Sequence, residues 1–231
     1  MLKYRIGAAP RFQLDAAPQF IFSVGRINEA GTVTALGTAF CLDKSRLFAT
    51  AAHVVGQTDE GLVILLNSTS DIQDYQLGVR GKIQCIPVKI QQYNPVHDLA
   101  ILKLDSPQDV KWDIKVGSAD SVGVGTDVIT LGYPHLDVGR FVLTRHHAAV
   151  GAKIFLPLLG NNIKFLVLNF LARPGQSGSP VFRPGSQEIV GVLTGAYRPE
   201  SGQQILIDGV DAAAINQTTH AVSAEYLKGM Y

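Results

Sequence analysis

The chain has 231 residues, 46% of them apolar, enough to bury one large core or two smaller ones sharing an interface. Lys and Arg total 20 against 19 Asp and Glu, with the two signs interspersed, which argues against a general electrostatic role on nucleic acid or a membrane surface. The two cysteines, Cys41 and Cys85, read as small core residues; one disulfide between them is open, but a disulfide-framed secreted fold is not. The stretch Met1–Phe12 carries Lys3, Arg5 and Arg11 and lacks an apolar run of signal-peptide length. The longest apolar stretches, Ile154–Leu159 and Phe165–Ala172, are too short to span a bilayer, so the expectation is a soluble cytoplasmic protein.

Short apolar or alternating runs separated by Gly, Pro, Asn and Asp dominate, which predicts an all-β sandwich or barrel. Predicted strands are Phe20–Ile27, Val33–Leu42, Leu47–Thr50, Leu62–Asn67, Lys82–Gln92 and Leu99–Leu104. A second series follows at Val128–Leu131, Arg140–Ile154, Ile163–Leu168, Pro180–Phe182, Ile189–Tyr197 and Thr219–Ser223. Between the series, Asp105–Gly125 reads as a crossover joining an N-terminal unit over 1–112 to a C-terminal unit over 113–231. The tail Ser223–Met230 reads as a short helix with Ser223 as its N-cap.

Three stretches carry candidate chemistry. In Leu47–Val55 an apolar strand ends in Thr50-Ala51-Ala52, and His53 follows in one helical turn. Such a histidine can accept a proton from a hydroxyl and return it, or it can be a half-buried structural ring. In Asn94–Leu104, Asp98 stands where a loop meets an apolar strand; a largely buried carboxylate there needs a partner, either a histidine N–H or local backbone. His97 is a rival base, but in an extended segment its side chain opposes that of Asp98. In Arg173–Phe182, Ser177 lies at the centre of a turn between Gly175 and Gly178. This is either an ordinary turn between strands or a nucleophile whose turn aims the N–H groups of Gly175 and Ser177 at one developing oxyanion. His146 and His147 point to opposite faces of a strand and with His135 make no paired metal site, so no metal and no cofactor is expected.

Thr50–His53, His97–Leu102 and Gly175–Pro180 occur in the order His, Asp, Ser, and together they resemble the three signature blocks of trypsin/chymotrypsin-like serine proteases. The disulfide-poor bacterial branch, the HtrA/Deg proteases and V8-type endopeptidases, is the nearest match, and Gly37–Phe40, Val116–Asp120 and Thr130–Pro134 resemble it too. The resemblance spans Phe20 to Leu227 and implies two six-stranded antiparallel β-barrels with the site in the cleft between them. It implies Ser177 as nucleophile, His53 as general base and acid, Asp98 as orienting carboxylate, and the Gly175 and Ser177 amides as oxyanion hole. It further implies that Gly191–Ala196, with Thr194 and Gly195, pairs with an extended substrate. Leu171 then lies at the base of the S1 pocket, Ala196 on one wall and His220 near the far wall. With no acidic residue at the base, a small or medium apolar P1 residue is expected over Lys or Arg. His220 alone would favour an acidic P1, but Leu193 stands where glutamyl endopeptidases carry a specificity histidine. Gln176 replaces the aspartate that pairs with a freshly cut N-terminus in digestive relatives, and Ser179, which should begin the next strand, replaces a glycine. The expected activity is a serine endopeptidase on peptide or protein substrates. The alternatives are a protease-like domain that binds peptides with little turnover, and a protease inactive until a regulatory protein partner orders its loops. Oligomeric state is not legible.

Overall fold

The apolar runs between polar turns become two antiparallel barrels in the computed structural model, which describes residues 14–42, 46–78, 83–105, 114–197, 206–207, 210–211 and 218–231. A 3-10 helix, Leu14–Gln19, precedes β1 (Ile21–Ile27), β2 (Val33–Cys41), β3 (Leu47–Ala51), a single turn α1 (Ala52–Val55), β4 (Leu62–Leu65), β5 (Cys85–Asn94) and β6 (Leu99–Leu104). These six strands close in the order β1-β2-β3-β6-β5-β4, with β4 returning to β1. β4 is buried along its whole length, and in β6 only Lys103 is exposed, which is why both read as nearly continuous apolar runs.

The second half comprises β7 (Lys115–Val116), β8 (Asp127–Gly132), β9 (Thr144–Leu158), β10 (Asn161–Leu168), β11 (Pro180–Phe182), β12 (Glu188–Tyr197), a two-stranded β13 (Leu206–Ile207) and β14 (Val210–Asp211), and β15 (Thr218–Ser223). The order β11-β8-β9-β10-β15-β12 closes through the β11–β12 pairing into a six-stranded ring, and β7 lies parallel on β12 outside it. Val128, Ala148, Val150, Leu166, Val181 and Leu193 fill its interior. The first barrel's core continues across the interface through Tyr133, Phe165 and Phe182, and Phe20 meets Phe182 edge-on at 6.3 Å.

Several expectations are corrected. β9 runs over Thr144–Leu158 instead of Arg140–Ile154. Its expected start is occupied by the first barrel's 71–78 loop: Phe141 N–H donates to Gly78 O (3.2 Å) and Leu143 N–H to Gln76 Oε1 (2.8 Å). Its far end is set by the two-residue turn Leu159–Gly160, both with positive φ, as a tight hairpin demands. The C-terminal helix is a single 3-10 turn, Ala224–Leu227, and Ser223 does not cap it; its Oγ accepts from the Ala119 N–H at 2.9 Å instead. The cysteines are both free, lying on β2 and β5, which are not neighbours in the barrel; burial pushes the Cys41 thiol up to about 12. The start of the expected strand at Lys82 and the expected division at 112/113 lie outside the described residues.

Tyr133, at the end of β8, ties the barrels together: its buried hydroxyl donates its one proton to Asn67 Oδ1 and lies 3.2 Å from Ile21 O, while Asn67 Nδ2 donates to Pro18 O (2.6 Å) and Ile21 O (2.8 Å). Tyr133→Phe removes one donor from this buried set and should lower unfolding free energy by about 1–2 kcal/mol. Urea denaturation monitors this, and an unchanged midpoint would refute the tie.

Candidate active site

β3 packs through alanines. Ala49, Ala51 and Ala52 are all buried, so α1 begins tight against the first barrel and presents His53 outward. Gly56, with φ 65°, ends the turn by donating to Ala52 O at 3.0 Å. Arg26 of β1 reaches under the turn's exit, donating to Val55 O (2.7 Å), Thr58 O (2.9 Å) and Glu60 O. Sequence reasoning missed this brace; its only trace is a lone cation in an apolar strand.

Asp98 adopts a left-handed conformation, φ 52°, which Asp tolerates better than most residues. It meets α1 three times, twice at His53. Its backbone carbonyl accepts from Ala52 N–H (3.0 Å), its Oδ1 from the His53 backbone N–H (2.9 Å), and its Oδ2 pairs with His53 Nδ1 at 2.6 Å. A carboxylate only accepts, so Nδ1 carries the proton of this bond and Nε2 lies on the opposite side of the ring from Asp98. The Asp98 side chain is 28% exposed and that of His53 48%, so the ring is open to solvent while the carboxylate is mostly covered.

The Ser177 turn is fixed carbonyl by carbonyl. Pro174 O accepts from His135 N–H (2.7 Å), Gly175 O from Thr38 Oγ1 (2.8 Å), Gln176 O from Ser179 N–H (3.0 Å) and Ser177 O from Thr38 N–H (2.9 Å). Gly178 N–H donates to Leu193 O at 2.7 Å. Gly175 and Gly178 have φ of 93° and 87°, and a side chain on Gly178 would overlap Thr38 O and Thr50 Oγ1. Among the described residues, the N–H groups of Gly175 and Ser177 donate to no acceptor. In a trans peptide the N–H opposes the carbonyl, so anchoring Pro174 O on His135 turns the Gly175 N–H away from that loop. Gly37 lies against both Ser177 O and the Val54 side chain, which seats the serine turn beside α1. Ser177 itself is half-buried, and among the described residues no hydrogen bond joins its Oγ to His53. Such bonds are often loose before substrate arrives.

The remaining predicted residues fall as follows. Gln176 is fully buried, its Oε1 accepting from Arg173 N–H at 2.7 Å, so it stiffens the turn from inside. Ser179 is buried against Gly132, just ahead of β11. Leu171, Thr194 and Gly195 are half-buried, and Gly195, φ 141°, sits at a bulge in β12. The side chain of Ala196 lies outside the described residues. Thr219 of β15 is bonded to the segment beside Leu171: its Oγ1 donates to Phe170 O (2.5 Å) and accepts from Ala172 N–H (2.9 Å). Alternation turns the buried His220 to the other face of β15, where it lies 6.1 Å from Phe165. His97 stacks on Tyr226 and His146 on Phe170. Among the described residues, no group of three His, Cys, Asp or Glu could hold a metal ion.

This chain belongs to the trypsin-like peptidase domain family, which matches residues 37–192 and so spans His53, Asp98 and Ser177. It is 24% identical over 181 residues to a probable periplasmic serine endoprotease, DegP-like, of Pseudomonas fulva, covering 77% of this chain and 32% of that one. The chain spans a third or less of the length of the curated relatives it matches. The MamO protease domain of Magnetospirillum magneticum has the same fold, with TM-score 0.66 at 16% identity, covering 95% of this chain and 99% of that one. The HtrA-type protease AlgW with a tripeptide gives 0.63 at 15% identity, covering 94% of this chain and 60% of that one. Among the described residues, no helix is long and apolar enough to cross a membrane; the DegP-like relatives are named periplasmic and lend the cytoplasmic expectation no support.

Two outcomes are expected. Gly178→Ala should displace the turn and cost about 2–4 kcal/mol, since it combines a left-handed backbone with backbone overlap; thermal unfolding at wild-type midpoint would contradict this. Burial holds His97, His146 and His220 below the ordinary value near 6.5. The unfolded chain then binds more protons, so stability is full above that value and falls as pH drops through it. Denaturation midpoints measured from about pH 8 to pH 5 should decline, and His146→Gln should flatten the decline.

Proposed function

We propose that this chain is a serine endopeptidase domain that hydrolyses peptide bonds through an acyl-enzyme. The observation carrying the reading is the Asp98-bound His53 beside a serine turn whose Gly175 and Ser177 N–H groups have no acceptor among the described residues. In this reading Ser177 Oγ attacks the scissile carbonyl while His53 Nε2 takes its proton. Asp98 holds the Nδ1–H tautomer and balances the imidazolium, and the two amides receive the oxyanion. The tetrahedral intermediate collapses, His53 protonates the leaving amine, and water, activated by the same ring, releases the acyl group. β12 offers Thr194 and Gly195 as an edge for an extended substrate, with Ala196 beside them. The peptide-bound AlgW structures, which share the fold, support a peptide ligand. Half-buried Leu171 supports a small or medium apolar P1 residue. His53 and Asp98 belong to the 1–112 unit and Ser177 to the 113–231 unit.

A fluorophosphonate probe should label the wild type and neither Ser177→Ala nor His53→Ala. Asp98→Asn should slow labelling by about four orders of magnitude, because the imidazole tautomer is lost. Labelling that survives Ser177→Ala would place the nucleophile elsewhere, and a wild type that binds peptide but is never labelled would make this a peptide-binding domain. Among Val, Ala, Glu and Arg P1 peptides, Val or Ala should be cleaved fastest; fastest cleavage after Arg would overturn the pocket assignment.

A further inference from the structure

Asp98 has to be held in a backbone conformation that side chains resist, with its carboxylate aimed at His53. On its C-terminal side Leu99 and Ala100 are buried in β6. On its N-terminal side stands His97. The His97 N–H donates to Asn94 Oδ1 at 3.1 Å, and its ring stacks on Tyr226 with centroids 4.1 Å apart and planes 24° from parallel. His97 Nδ1 is buried without a hydrogen-bond partner, so at that nitrogen the ring is held by packing. Tyr226 is itself fixed from the second half of the molecule. It lies in the Ala224–Leu227 turn, and its hydroxyl accepts from the Lys164 backbone N–H of β10 at 3.0 Å. Lys164 Nζ in turn reaches Glu225 at 3.1 Å and Asp120 at 2.5 Å.

We propose that the His97–Tyr226 stack is a positioning couple: it clamps the residue before Asp98 onto the second barrel and so sets the carboxylate's aim at His53. His97, the rival base by sequence, is then a positioning residue that touches no reacting atom. The inference rests on the serine endopeptidase reading for its effect on rate, but its geometric content can be tested without turnover.

The test uses the whole chain and four variants, Tyr226→Phe, Tyr226→Leu, His97→Phe and His97→Ala, with two readouts. The first is the low-field proton NMR resonance of the His53 Nδ1–H bonded to Asp98. The second is the fluorophosphonate labelling rate, separated into probe binding and inactivation step. Tyr226→Phe and His97→Phe keep two stacked rings and should keep the resonance. Tyr226→Leu and His97→Ala should shift or lose it and slow the inactivation step about tenfold, equivalent to one unit of decimal rate loss, with probe binding unchanged. The double variant Tyr226→Leu/His97→Ala should be no slower than either single one, since each removes the same contact. If Tyr226→Leu fails to fold, His97→Ala decides. An unchanged resonance in Tyr226→Leu and His97→Ala overturns the proposal. So does a Tyr226→Phe as impaired as Tyr226→Leu beside an unimpaired His97→Ala, because the hydroxyl bond to Lys164 would then act without the stack. A wild type showing the resonance but no labelling would sink the endopeptidase reading, while the NMR comparison would still decide the positioning role.

Discussion

Thr38 is the point on which both barrels and the serine turn converge. Its N–H donates to Ser177 O, its hydroxyl donates to Gly175 O and accepts from Tyr133 N–H at 3.1 Å, and its carbonyl accepts from Thr50 Oγ1 at 2.7 Å. Every polar group of one fully buried residue is thereby used, and together they join three structural units: the serine turn, the end of β8 and the strand leading to His53. An apolar residue of similar shape would leave a buried amide and a buried carbonyl without partners, at about 1–3 kcal/mol each. Gly37, beside it, has to lack a side chain for the same approach to occur.

Two non-glycine residues in left-handed backbone stand at the edges of this arrangement, Asp98 and His135. Each does something an extended residue could not. Asp98 doubles back so that its carbonyl and carboxylate both face α1, and His135 turns its N–H onto Pro174 O. Local backbone strain is here coupled to orientation: one residue aims a carboxylate and the other aims a peptide plane.

The strands and the three chemical stretches were legible because they are local signals. Alternation, all-apolar runs such as β4 and β6, and a serine between glycines are visible in a window of ten residues. What sequence could not carry is pairing across long separations. The start of β9 was misplaced because Arg140–Leu143 reads as strand, yet its N–H groups are taken by His135 and by the distant Gln76 and Gly78. Ser223 has the chemistry of an N-cap, but a tertiary partner, Ala119, claims its hydroxyl. Which of Thr219 and His220 faces the Phe170–Ala172 segment depends on strand facing, which a resemblance does not fix; Thr219 makes contacts there. Arg26 and Thr38 carry little local signal for the roles they take; those roles depend on where distant backbone groups come to rest.

The contacts that complete the serine turn join residues far apart in the chain, Thr38 to Gly175 across 137 positions. The His53–Asp98 pair, 45 positions apart, closes within the first barrel. Loop closure over such distances comes late in folding, after local hairpins have formed. The residue set proposed for hydrolysis is therefore a property of the finished topology: the first barrel by itself can hold His53 on Asp98, but Ser177 lies between strands of the second.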